Sequence, residues 1–136
     1  MTVTGQTWTF FAGDECVIGI ASIPGSDGDP VDLTGRIVRF ALAPYNSQGV
    51  PIYSSPVLNL ASDDSPASVT IPNPTGGTTM LDPHVRLTLS PAQTAPLATT
   101  KAKSYYVEAE VLEGDLSSKV TILTGKATFS PTVDNS

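Results

Sequence analysis

Residues 104–129 read SYYVEAEVLEGDLSSKVTILTGKATF. In the first half Tyr105, Val107, Ala109 and Val111 alternate with Tyr106, Glu108, Glu110 and Leu112. A side-chain period of two sends an apolar set to one face and both glutamates to the other, as a half-buried strand requires. Glu113-Gly114-Asp115 supplies turn chemistry, and a second alternating run places Val120, Ile122 and Thr124 on one face. Two such runs joined by a short polar turn predict an antiparallel hairpin.

Upstream of the hairpin, Val85, Leu87 and Leu89 point one way while His84, Arg86 and Thr88 point to solvent. Residues 90–95 then form one helical turn. Ser90 is a good N-cap, Pro91 loses nothing at the first helical position, and Pro96 stops extension. Nearer the N-terminus, residues 6–11 are a strand with Trp8 and Phe10 on one face. Residues 15–23 are a second strand, where Cys16, Ile18 and Ile20 alternate with Val17, Gly19 and Ala21. Both of its faces are apolar, which predicts a central position in a sheet. After a Pro/Gly/Asp turn at 24–30, residues 36–43 form a strand with Val38, Phe40 and Leu42 inward. Residues 44–51 are a loop. Residues 52–60 are strand-like but carry Pro56, which cannot donate to a ladder, so an edge or bulged strand is expected. Val69 and Ile71 mark a short strand that stops at Pro72, and residues 72–82 are a Pro/Gly/Thr-rich loop.

About eight short strands at near-regular spacing, with one helical turn before the penultimate strand, predict an all-β fold. The specific expectation is an immunoglobulin-like antiparallel β-sandwich, formed by residues 1–136 as one domain. Tyr105 or Tyr106 follows the helical turn and suits the tyrosine corner of such domains. The inter-sheet disulfide of antibody domains cannot form, because Cys16 is the only cysteine. A small closed barrel or jelly roll is the alternative architecture.

The composition fits this reading. The chain is 40% hydrophobic and 15% charged, a balance for a packed domain and not for a disordered one. Its formal charge is −6, from 13 carboxylates against 7 basic residues, and the basic residues are scattered. Phosphate-backbone binding needs clustered lysine and arginine, so nucleic acid is not an expected partner. No apolar run approaches the ~20 residues of a membrane span, so no membrane role is expected. The start of the chain, MTVTGQ, has neither the basic nor the apolar segment of a signal peptide, and a lone cysteine suits folding in a reducing cytoplasm.

Each candidate for chemistry meets an obstacle. Asp27-Gly28-Asp29 resembles the start of a calcium loop, but position 12 counted from Asp27 is Val38, where a bidentate glutamate is needed. The adjacent carboxylates Asp63 and Asp64 read as a solvated turn. Glu108 and Glu110 lie about 7 Å apart on one strand face, a spacing compatible with acid/base work, yet both are expected in solvent without a raised pKa. His84 is the only histidine and reads as a surface strand residue; one His and one Cys cannot make a zinc site within the chain. Cys16 reads as a small buried hydrophobe. Tyr45, Tyr53 and Tyr106 are candidates for a sugar-binding platform, or for core packing or subunit contact. The expectation is therefore no enzyme activity and no catalytic, metal or cofactor-binding residues.

Five segments, in order, carry a family resemblance: residues 11–14 (FAGD), 28–35 (GDPVDLTG), 89–97 (LSPAQTAPL), 105–111 (YYVEAEV) and 125–133 (GKATFSPTV). The set resembles the small immunoglobulin-like virion structural proteins of tailed bacteriophages, and is similar to the N-terminal module of the phage baseplate upper protein. The loop region between Pro44 and Asp82 departs from that pattern in being longer and richer in proline. The resemblance implies a virion protein without catalytic residues, placed in the tail, baseplate or neck or on the capsid surface as decoration. It implies other virion proteins and further copies of this chain as partners, with folding in the host bacterial cytoplasm before assembly. The alternative is a glycan-binding adhesion module for host recognition. That role calls for two or three exposed aromatics on one face near carboxylates.

Overall fold

A computed structural model of the chain describes residues 3–25, 27–79, 81–113 and 118–131. Among the described residues the strands are β1 (Val3–Phe11), β2 (Cys16–Ile20), β3 (Ile37–Pro44), β4 (Leu58–Ala61), β5 (Val69–Thr70), β6 (Val85–Leu89), β7 (Lys103–Glu113) and β8 (Ser118–Ser130). A helical turn, α1 (Pro91–Thr94), runs into a 3-10 turn (Ala95–Leu97) between β6 and β7. The larger sheet has the order β1-β8-β7-β3-β4 and the smaller β2-β6-β5. The third, seventh and eighth strands share one sheet while the second, sixth and fifth share the other. This is the immunoglobulin-like arrangement, with an extra edge strand beside β3.

The β7–β8 hairpin forms as expected, in antiparallel register from Lys103 opposite Phe129 to Glu113 opposite Ser118. Gly114 and Asp115 of the expected turn lie outside the described residues. One bulge changes the face assignment. Ala109 opposes Leu123 but Glu110 opposes Thr121, so Ile122 is an extra residue on β8. Val120, Ile122 and Thr124 therefore do not share a face. Val120 is exposed, Ile122 and Leu123 are both buried, and Thr124 lies opposite Glu108.

The sandwich is not wholly antiparallel, because β1 runs parallel to β8. The chain leaves β1 for the opposite sheet instead of turning back beside it, so β1 is free to dock on the β8 edge in the same direction. Trp8 and Phe10 then stand opposite Ala127 and Phe129 and pack on the core. Gly125 permits this approach: a Cβ there would lie 2.6 Å from both the Trp8 ring and the Gln6 carbonyl.

Two further expectations are corrected. β2 is an edge strand of the smaller sheet, not a central one. His84 is fully buried, not at the surface. β6 begins only at Val85, and the His84 N–H bonds back to the Ile20 carbonyl. Its ring lies between the loops that follow β2 and β5. Nδ1 accepts from the Ile23 N–H at 3.2 Å, and Nε2 donates to the Pro74 carbonyl at 3.0 Å. The strand expected over residues 52–60 is shorter: only Leu58–Ala61 forms β4, which lies at the edge of the larger sheet, and Pro56 precedes it outside the ladder.

The core lies between Val38, Phe40, Leu42, Val107 and Phe129 of the larger sheet and Ile18, Val85, Leu87 and Leu89 of the smaller. The turn between β6 and β7 is pinned at three points. Ser90 and Gln93 form a reciprocal capping box. The Thr94 hydroxyl donates to the Asp14 carbonyl and accepts from the Gly13 N–H, tying this turn to the one after β1. The Tyr105 hydroxyl donates to the Leu97 carbonyl in a buried bond, so Tyr105 is the tyrosine corner. Pro96 does not end the helical segment but sits inside the 3-10 turn, whose first positions need no intrahelical N–H. Tyr105→Phe leaves the Leu97 carbonyl buried without a donor and is expected to cost about 1–3 kcal/mol. Urea unfolding at constant m checks it, with Tyr106→Phe as the milder comparison.

Candidate functional site

The outer face of the larger sheet carries the one set of candidate residues that the fold brings together. Strand alternation sends Ala41, Ala43, Tyr106, Glu108, Glu110, Thr124 and Lys126 away from the core. Across β3, β7 and β8 the register sets Ala43, Tyr106 and Lys126 in one row, and Ala41, Glu108 and Thr124 in the next. The two alanines make a low floor beside the Tyr106 ring.

The segment between β3 and β4 completes the site. Tyr45 bridges to Pro51, and the Asn46 N–H donates to the Val50 carbonyl. The Asn46 side chain accepts from the N–H groups of Gln48 and Val50, and Gly49 takes a φ of +79° that closes the turn. The returning chain brings Tyr53 against Tyr106, edge to face, with ring centroids 5.4 Å apart and an interplanar angle of 87°. Lys126 Nζ lies 5.7 Å from the centre of the Tyr45 ring, within cation–π range. The three tyrosines of the sequence-level platform thus converge, although they come from a loop and a strand some fifty residues away.

Tyr53 is 64% exposed, and Val50, Ile52 and Val57 of the same segment are exposed as well. Tyr106 is half-buried, and its hydroxyl donates to Glu108 Oε1 at 2.9 Å. Burial, then the bond to Glu108 and its negative charge, push the Tyr106 hydroxyl far above the ordinary tyrosine range. Burial and the neighbouring Tyr53 raise that of Tyr45. Glu108 and Glu110 are half-buried, not solvated as expected. Glu110 pairs with the Arg39 guanidinium at 3.0 Å, while Glu108 holds the Tyr106 hydroxyl. Each carboxylate is engaged by its own neighbour, so the two do not form an opposed acid/base couple.

The remaining candidates have structural roles. Asp27 accepts from the Asp29 N–H in a local turn. Asp64 caps the N–H of Ala61 at 2.9 Å. Cys16 is buried in the core, and desolvation pushes its thiol up to about 11. Among the described residues no group of three or more His, Cys, Asp or Glu side chains could hold a metal ion. Sequence reasoning missed Lys126 and the alanine floor, which belong to the site only through strand register. The Asn46 to Gly49 turn was the local signal that Tyr45 and Tyr53 flank a tight reversal.

No protein-family model matches the chain, and no curated protein matches it. The site offers aromatic edges and faces, the Lys126 and Arg39 cations, the Glu108 and Glu110 carboxylates and an apolar rim. Glu108→Gln removes the charge that disfavours the Tyr106 phenolate. In a spectrophotometric tyrosine titration this variant is expected to ionise Tyr106 at lower pH than the unmodified protein, although burial still holds it above the ordinary value.

Proposed function

We propose that this chain is a non-enzymatic structural protein of a tailed-phage virion, acting through subunit contacts made by the outer face of its larger sheet. The observation that carries the contact role is the convergence of Tyr45, Tyr53 and Tyr106 beside exposed Val50, Ile52 and Val57. Tyrosines set in apolar surface are the residues that dominate binding energy at protein interfaces. Their ordering cost is small, because tyrosine has few rotatable bonds and the segment is braced by Asn46 and Pro51. The virion assignment is supported by the ordered motif set. Its members fall on the β1–β2 turn, the approach to β3, the helical turn and the β7–β8 hairpin. The tail, baseplate or neck is the favoured location and capsid decoration the other. Partners are other virion proteins and further copies of this chain, with folding in the bacterial cytoplasm before assembly.

The test is immunogold labelling and co-sedimentation with particles purified from the encoding phage or prophage strain. Labelled particles are expected, with Tyr53→Ala/Tyr106→Ala weakening incorporation by roughly tenfold or more. Unlabelled particles overturn the assignment.

A second reading is favoured by one observation: Glu108 and Lys126 border the three tyrosines. Aromatic rings with a carboxylate at the margin suit a carbohydrate, and this reading makes the chain a glycan-binding adhesion module. It expects saturable binding of host-surface oligosaccharides that Tyr53→Ala abolishes while the thermal transition stays unchanged. An array of such glycans with no binder removes it.

A further inference from the structure

β2 has the sequence of a central strand and the position of an edge strand. Cys16-Val17-Ile18-Gly19-Ile20 contains no charge and no proline, yet its partner among the described residues is β6 alone. Edge strands normally carry a device that discourages further pairing, and the other three edges of this sandwich do. β4 is preceded by Pro56, and its Ala61 N–H is occupied by the Asp64 carboxylate. β5 is two residues long and is followed closely by Pro72. β1 is broken by a register shift between Val3 and Gln6, where Gly5 has a φ of +73°.

The main-chain groups that β2 leaves open can be named. The Thr88 N–H donates to the Ser68 carbonyl on the β5 side. Alternation along β6 then points the main-chain groups of Leu87 and Leu89 toward β2, where they meet Ile18 and Cys16. The N–H and C=O groups of Val17 and Gly19 therefore point away from β6, along the outer edge.

We propose that two copies of this chain associate through β2, antiparallel about Ile18, joining their smaller sheets into one continuous sheet. In this register Val17 of each copy stands opposite Gly19 of the other, and the two residues exchange both main-chain hydrogen bonds. The exposed Val17 side chain faces a residue that has none, so the edge is self-complementary without a clash. Glu15 falls opposite Ala21 of the other copy, so no like charges oppose each other. An apolar cleft of about 210 Å³ beside this edge, lined by Val3, Trp8, Ile20 and Leu123, offers further surface to the second copy. The inference concerns the purified protein and stands apart from its placement in a virion.

Sedimentation velocity over a concentration series tests it, with Val17→Pro and Val17→Lys as variants. Proline at 17 removes a donor that points away from β6, and lysine adds a charge to an exposed position, so both should keep the fold. Circular dichroism confirms that they do. A dimer is expected for the unmodified chain, with its dissociation constant raised about tenfold or more in both variants. Mixing Val17→Cys with Gly19→Cys chains under mild oxidation is expected to give a covalent dimer that neither forms alone. Cys16, buried and with its thiol pushed up to about 11, does not compete. A monomer at every concentration, or a dimer indifferent to both Val17 variants, overturns the proposal.

Discussion

The antiparallel pairing of β7 with β8 is the constraint on which the rest of the sandwich depends. β7 lies between β8 and β3, and β8 in turn carries β1, so one hairpin places four of the five strands of the larger sheet. Its alternation also decides what each face is for. Tyr105, Val107, Ala109 and Val111 enter the core, and Tyr106, Glu108 and Glu110 are delivered to the outer face. The bulge at Ile122 buries two successive residues and shifts the phase of β8, so that Thr124 and Lys126 join the outer row.

The two tyrosines at the start of β7 show how one residue step separates a core contact from a surface one. Tyr105 points inward and fixes the corner between the sheets through the Leu97 carbonyl. Tyr106 points outward, donates a hydrogen bond to Glu108 and supports the exposed Tyr53 ring. Because the strand period is two, this division of labour between adjacent, chemically identical side chains needs no further device. The same logic links the two surfaces proposed for contact. The outer face of the larger sheet offers side chains, whereas the β2 edge offers main chain.

The buried polar groups follow one pattern. His84 and Thr94 both sit where loops cross between sheets, and both bond main-chain groups far away in sequence. A loop that crosses the core mouth carries N–H and C=O groups that need partners once water is excluded. A buried side chain with both donor and acceptor capacity meets that need, which accounts for a histidine in the interior.

Periodicity and turn chemistry alone determined the all-β sandwich, the terminal hairpin, the capped helical turn and the burial of Cys16. Those features rest on local rules: a side-chain period of two, turn-forming glycine and an N-cap hydroxyl. Tertiary structure decided what depends on the relation between distant segments. It placed β1 parallel to β8, moved β2 from the expected centre to an edge, and buried His84 under two loops. It also gathered Tyr45, Tyr53 and Tyr106 around Glu108 and Lys126. Strand order and register are set by how two sheets fill one core, and a single strand's sequence carries only its own alternation, not the identity of its neighbours.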